Sequence, residues 1–194
     1  GNSYKEFGEL SKAVKFYKKA IEITPNYPAL YNNLGNTYKE LGSLDKAVES
    51  YSKGLKINPD FIDILNNLGV VLNDLERFKE AIHSFDRAIE INPSYAEAHF
   101  NRGNSLLSLQ RIDEAELSYQ MALKIRPDYA EVHNGLGNLL KSQKRFKEAE
   151  EAFQVALSLF PEYVNAYINL GELFNEQSYF DGGKCSQFLD QSNL

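Results

Sequence analysis

Apolar and small residues recur at helical spacing along most of the chain. In the stretch YNNLGNTYKELG, Tyr31, Leu34, Gly35 and Tyr38 fall at i, i+3, i+4 and i+7. That is one stripe of a helix. Ala47, Tyr51 and Gly54 repeat the spacing in the next stretch. The pattern therefore predicts helices in pairs. No alternating apolar–polar run competes, so the expected fold class is all-α.

The pairs repeat. Glycines fall at Gly1, Gly35, Gly69, Gly103, Gly137 and Gly171, each 34 residues from the next. Prolines keep the same step at Pro25, Pro59, Pro93, Pro127 and Pro161. Between them run three further columns: Ala13, Ala47, Ala81, Ala115, Ala149; then Tyr17, Tyr51, Phe85, Tyr119, Phe153; then Ala20, Gly54, Ala88, Ala122, Ala156. Small residues let two helix backbones approach, and an aromatic fills the remaining gap. Each proline lacks an N–H and restricts its predecessor, which stops the second helix. The residues after the prolines, Asn26, Asp60, Ser94, Asp128 and Glu162, are expected to cap the next helix.

A 34-residue helix–turn–helix unit with aromatic, Leu-Gly, aromatic, Ala, aromatic, Ala and Pro in that order resembles the tetratricopeptide repeat (TPR). In that frame repeats begin at Pro28, Ile62, Ala96, Ala130 and Val164, and residues 1–27 supply most of a preceding one. The resemblance implies a right-handed superhelical solenoid of about five and a half repeats over residues 1–176, with 177–194 a degenerate last repeat, cap or tail. Departures are local. Gly54 stands for Ala, Arg102 for Leu, and His99 and His133 fill an aromatic slot. Gly183 and Gln187 stand where Ala and an aromatic are expected.

The resemblance also implies that the first helix of each repeat lines a concave face. Positions 2, 6, 9 and 13 of that helix share one stripe opposite the core. They read Ala29, Asn33, Asn36, Glu40; Asp63, Asn67, Val70, Asp74; Glu97, Asn101, Asn104, Ser108; Glu131, Gly135, Asn138, Ser142; and Asn165, Asn169, Glu172, Glu176. Seven carboxylates and eight asparagines stand there, with no Lys or Arg. Asn is a poor helix former, so a merely solvated face would favour Lys, Glu or Gln. An Asn amide offers donors and an acceptor together, matching a peptide unit. The predicted peptide-binding residues are Asn33, Asn36, Asn67, Asn101, Asn104, Asn138, Asn169, Asp63, Glu97 and Glu131. Such a ladder is similar to the TPR arm of the O-linked N-acetylglucosamine transferases. Replacing Asn67 and Asn101 with Ala is expected to weaken binding roughly 10- to 1000-fold. The fold is expected to survive, because these side chains face away from the core. The TPR clamp for terminal carboxylates needs Lys and Arg on this face, and here it has none.

Composition narrows the partners. The 194 residues carry a net charge of −6, with nine Lys and Arg against seven Asp and Glu up to residue 60 and twelve against twenty beyond it. That is no footprint for nucleic acid. A neutral or basic protein or peptide partner is expected. The single cysteine, Cys185, excludes an internal disulfide and a cysteine-cage metal site. It is compatible with a reducing compartment, and the cytoplasm is the expected location. No cofactor and no metal are expected. His99 and His133 occupy equivalent packing slots, Gly135-Leu136-Gly137 is not a phosphate loop, and Lys15, Lys18 and Lys19 read as solvated surface. No nucleophile–base pair stands out, so no catalysis is expected. No apolar run approaches bilayer length and no leader opens the chain, which reads as a piece of something longer. The function expected is a protein-interaction scaffold holding an extended peptide. Alternatives are the recognition arm of a larger enzyme such as a glycosyltransferase, or a self-assembling scaffold. Tyr4, Leu10 and Tyr17 have no preceding helix to pack on, so self-association through the N-terminal end is expected.

Overall fold

The computed structural model describes the backbone of residues 2–191 and the side chains of residues 8–178. Tyr4, Gly183, Cys185 and Gln187 lie outside the residues whose side chains are described. The described backbone is all-α: α1 (Asn2–Ile23), α2 (Pro28–Glu40), α3 (Leu44–Ile57), α4 (Ile62–Asp74), α5 (Phe78–Ile91), α6 (Ala96–Ser108), α7 (Ile112–Ile125), α8 (Ala130–Ser142), α9 (Phe146–Leu159) and α10 (Val164–Gln191). Two compact units, Gly1–Ala115 and Glu116–Leu194, are described separately. In the first, α2 packs on α3 and α4 on α5, while α2, α4 and α6 lie side by side. In the second, α8 packs on α9 and lies beside α10.

The glycine and aromatic columns make the core. A Cβ on Gly35 would clash with the ring of Tyr51. On Gly69 it would lie 2.5 Å from Phe85, and on Gly137 2.6 Å from Phe153. Only glycine admits the ring, and each ring is fully buried. Burial of such a side chain contributes about 1.5–3 kcal/mol. Gly54 is explained by its neighbour: a Cβ there would meet Ile64 Cδ1 at 2.6 Å, so a larger Ile64 takes the space.

Each turn within a repeat closes on one left-handed residue: Gly42, Glu76, Gln110 and Lys144, with φ between 57° and 69°. The following N–H reaches back across the turn, as Ser43 does to Tyr38 O at 2.8 Å and Arg77 to Leu72 O at 2.8 Å. This satisfies orphan helix carbonyls.

The expected caps are corrected. The cap positions of α2, α4, α6 and α8 are Tyr27, Phe61, Tyr95 and Tyr129, and none makes a side-chain cap bond. Phe61 and Tyr95 pack on core clusters instead, which outweighs a cap hydrogen bond. Polar residues serve the turn one step earlier: Asn58 Oδ1 accepts from Asp60 N–H and Asn92 Oδ1 from Ser94 N–H, both at 3.1 Å.

The other departures also find partners. Arg102 donates through Nε to Asp86 Oδ1 at 2.5 Å. Tyr31 Oη donates to Pro25 O at 3.0 Å, and the imidazoles that replace it do the same work. His99 Nε2 lies 3.0 Å from Pro93 O, and His133 Nε2 lies 2.8 Å from Pro127 O. A carbonyl can only accept, so each ring carries its proton on Nε2.

Candidate functional site

The predicted stripe lies on the first helices: α2, α4 and α6 in one unit, α8 and the start of α10 in the other. Its amides are largely spent on each other. Asn67 Nδ2 donates to Asn32 Oδ1 at 3.0 Å, and Asn101 Nδ2 to Asn66 Oδ1 at 3.1 Å. In the second unit Asn169 Nδ2 donates to Asn134 Oδ1 at 2.9 Å. Every pair joins the first helices of adjacent repeats, and the later repeat always donates. The acceptors sit at position 5, a column that the sequence reading passed over. The signal was there: Asn32, Asn66 and Asn134 are separated by whole repeats.

This changes the energetics of the ladder. Asn66 is only 9% exposed, so its carbonyl depends on Asn101. The fold was expected to survive Ala at positions 67 and 101 because these side chains face away from the core; the reason is corrected for Asn101, whose loss would leave the buried Asn66 amide without its partner. The pairs still leave groups unspent. Asn67 and Asn101 each retain a carbonyl oxygen and one N–H, enough to meet a peptide unit. Asn33 and Asn138 make no side-chain hydrogen bond among the described residues, whereas Asn36 Oδ1 accepts from Tyr51 Oη at 2.6 Å. Gly135 supplies no side chain to this ladder.

Charge is distributed unevenly over the stripe. Glu40, Asp63, Asp74 and Glu131 are exposed. Glu40 helps to hold the Tyr51 phenol above its usual range, although burial is the larger cause. Burial, then Glu131, likewise raises Tyr163. Glu172 and Glu176 are different. Lys141, at position 12 and so absent from the stripe, lies 2.8 Å from Glu172 and 3.9 Å from Glu176. Its side chain is 13% exposed, so two of the seven carboxylates are offset by a nearly buried cation.

Among the described residues no group of three His, Cys, Asp or Glu could hold a metal ion. Among them, too, no helix is long and apolar enough to cross a membrane.

The TPR repeat profile matches residues 1–42 and 35–75, and tetratricopeptide repeat profiles match 67–130 and 130–163. The chain belongs to the tetratricopeptide repeat family. Among solved TPR-fold structures, MamA is 26% identical, with 82% of this chain and 93% of that one covered at a TM-score of 0.73. YrrB, described as a TPR protein with an unusual peptide-binding site, is 27% identical, with 86% of each chain covered at 0.69. A thermophilic TPR protein of Thermus thermophilus is 23% identical, with 90% and 95% covered at 0.72, and shows the fold alone. No curated protein matches the chain. TPR chains are protein-interaction scaffolds, and this one has their all-α helical-repeat fold.

Proposed function

We propose that this TPR chain holds an extended peptide segment along the first-helix stripe, chiefly through backbone hydrogen bonds. The supporting observation is the amide pair that recurs from repeat to repeat with donors and acceptors left over. Groups at a fixed repeat spacing suit a ligand that is itself regular, namely an extended backbone. Hydrogen bonds to backbone leave recognition largely blind to sequence. The exposed Glu40, Asp63, Asp74 and Glu131 then set the preference toward neutral or basic segments. The likeness to YrrB, whose description names a peptide-binding site, supports the same use. Residues 1–176 are proposed as the repeat array and 177–194 as its degenerate end.

The test uses unstructured fluorescent peptides of equal length, one neutral, one rich in Lys and one rich in Glu. Asn33→Ala with Asn138→Ala removes two amides that have no side-chain partner among the described residues, so stability should hold. Binding of the neutral peptide should fall by about tenfold or more. The basic peptide should bind faster at low salt, and the acidic one should not bind measurably. Full affinity in the double variant, or equal affinity for the acidic peptide, overturns the proposal.

A further inference from the structure

We propose that the cleft between α1, α2 and α3 is a docking site for an acidic segment of a partner protein, which inserts one large apolar side chain. The site is separate from the peptide stripe, none of whose residues lines it. The cleft measures about 500 Å³, inside the range of about 300–1,000 Å³ usual for ligand sites. Ile21, Tyr31, Leu34, Tyr38 and Ser50 line it. Two of their hydroxyls are already spent. Tyr31 Oη donates to Pro25 O at 3.0 Å, and Ser50 Oγ donates to Lys46 O at 2.8 Å. What the cleft chiefly offers is apolar surface, which an incoming aliphatic or aromatic side chain would cover.

The cleft belongs to the repeat and not to the beginning of the chain. One repeat on, between α3, α4 and α5, a cleft of about 380 Å³ is lined by Ser52, Leu68, Leu72, Glu80, His83 and Ser84. These are the 34-residue equivalents of Lys18, Leu34, Tyr38, Lys46, Glu49 and Ser50, which line the first. The second cleft is interior to the array, with α2 packed on α3 and α6 on α5. A buried serine makes the space in both.

Charge sets the first cleft apart. In later repeats the second helix opens on an ion pair: Arg77 with Glu80, Arg111 with Glu114 and Arg145 with Glu148, at 2.6–2.7 Å. In α3 both members differ. Ser43 stands for the arginine and Lys46 for the glutamate, so a cation replaces a carboxylate. Lys46 lies over the Tyr38 ring at 5.8 Å and makes no ion pair among the described residues. Lys18, on the α1 side, likewise makes none. The carboxylates of the lining, Glu22 and Glu49, are paired with Lys19 at 3.5 Å and Lys53 at 2.6 Å. Lys18 acts on Glu49 only through space, and more weakly than Lys53 does. Two cations over an apolar floor are left uncompensated.

That combination selects the occupant. An apolar ligand alone would leave Lys18 and Lys46 without counter-charge. A Glu-rich peptide with no large apolar side chain has nothing to bury, and stays free. A segment that carries Phe or Leu between carboxylates meets both requirements, with the apolar side chain as anchor and the charges at the rim. The lysine stems add apolar wall while their heads stay in water. The charge preference is opposite to that of the stripe, so the two surfaces select different segments.

Fluorescence anisotropy with two short labelled peptides tests this, one with a central Phe between glutamates and one with Ser in place of that Phe. Both are acidic, so neither suits the stripe. The Phe peptide should bind one to one and weaken with added salt, and the Ser peptide should bind about tenfold more weakly or worse. Ser43→Arg with Lys46→Glu gives α3 the ion pair of the later repeats. Ser43 makes no side-chain cap bond and Lys46 is exposed, so the fold should hold, and melting curves verify it. Affinity for the Phe peptide should fall by about tenfold or more. Lys18→Gln with Lys46→Gln removes the same charges where the first variant unfolds. Asn33→Ala with Asn138→Ala, on the stripe, should leave this affinity unchanged. No binding of the Phe peptide, equal binding of the Ser peptide, or full affinity in the Lys46 variants overturns the proposal. So does loss of affinity in the stripe variant, which would seat the peptide there. Self-association of the chain that the Lys46 variants abolish would make the occupant a second copy, and overturns it too.

Discussion

The hydroxyl of Tyr51 donates to Oδ1 of Asn36 at 2.6 Å, tying the second helix of a repeat to its first. The chain shows what happens without the hydroxyl: Phe85 stands in the next ring position and apolar Val70 replaces the asparagine. The match is not strict: Asn138 is kept where Phe153 stands, and there it makes no side-chain hydrogen bond among the described residues. Tyr51→Phe should cost about 1 kcal/mol, since Asn36 loses its donor. Burial also raises the Tyr51 phenol above its ordinary value of 10.0, and pushes Tyr119 up to about 12. A raised value means that folding favours the protonated form. That contribution is complete below the ordinary value and is lost as pH rises through the folded one. Melting temperature should thus fall from about pH 10 upward. Tyr51→Phe and Tyr119→Phe together should flatten the decline. An equally steep fall in that variant would assign it to other groups.

Two glycines of one column should respond in opposite ways to alanine. Gly137→Ala puts a methyl group 2.6 Å from the buried Phe153 ring and should cost about 1–3 kcal/mol. Gly171→Ala meets open space and should gain up to about 1 kcal/mol in dilute solution, because Ala is the better helix former. Parallel urea titrations measure both. Equal responses would mean that the column has no common packing role.

These glycines show how much of the fold the sequence carried. Gly35, Gly69 and Gly137 were legible as close-approach sites because a 34-residue lattice repeats each of them beside its aromatic. The helix caps were not. Asp60 and Ser94 are good cappers by residue type, but Phe61 and Tyr95 take the position because their rings bury against the core. Packing overrode a local preference. In the candidate site, the stripe of Asn33, Asn67, Asn101 and Asn169 was legible from helical spacing. What the side chains bond to was not, because spacing along one helix says nothing about the next helix over. Lys141 escaped for the same reason: it lies off the stripe in sequence and reaches Glu172 in space.

The turn residues offer a gain in stability. Glu76, Gln110 and Lys144 adopt φ of 57°, 58° and 61°, in the register where Gly42 has 69°. A side chain is strained there and glycine is not. Each substitution to Gly should raise stability by up to about 1 kcal/mol, and Gly42→Ala should lower it by a similar amount. For Glu76 the gain is net of nothing larger than surface solvation, since its side chain is exposed. Chemical denaturation of the four single variants checks this. Loss of stability in all three glycine variants would show that the unfolded chain's added freedom outweighs the strain.

The amide pair between Asn66 and Asn101 separates a folding role from a binding role. Asn101→Ala leaves Asn66 Oδ1, on a residue 9% exposed, without its donor at 3.1 Å. That should cost about 1–3 kcal/mol. The better helix propensity of Ala returns only about 0.7 kcal/mol or less, so the net effect is destabilising. Asn33→Ala removes an exposed amide with no side-chain partner among the described residues and should be neutral or slightly stabilising. A double-mutant cycle through Asn66→Ala and Asn101→Ala isolates the pair, with an expected coupling of about 1 kcal/mol. If Asn101→Ala instead melts higher than the parent, as Asn33→Ala should, the inter-repeat pair contributes nothing to folding. Asparagine at these positions would then be retained against helix propensity for binding alone.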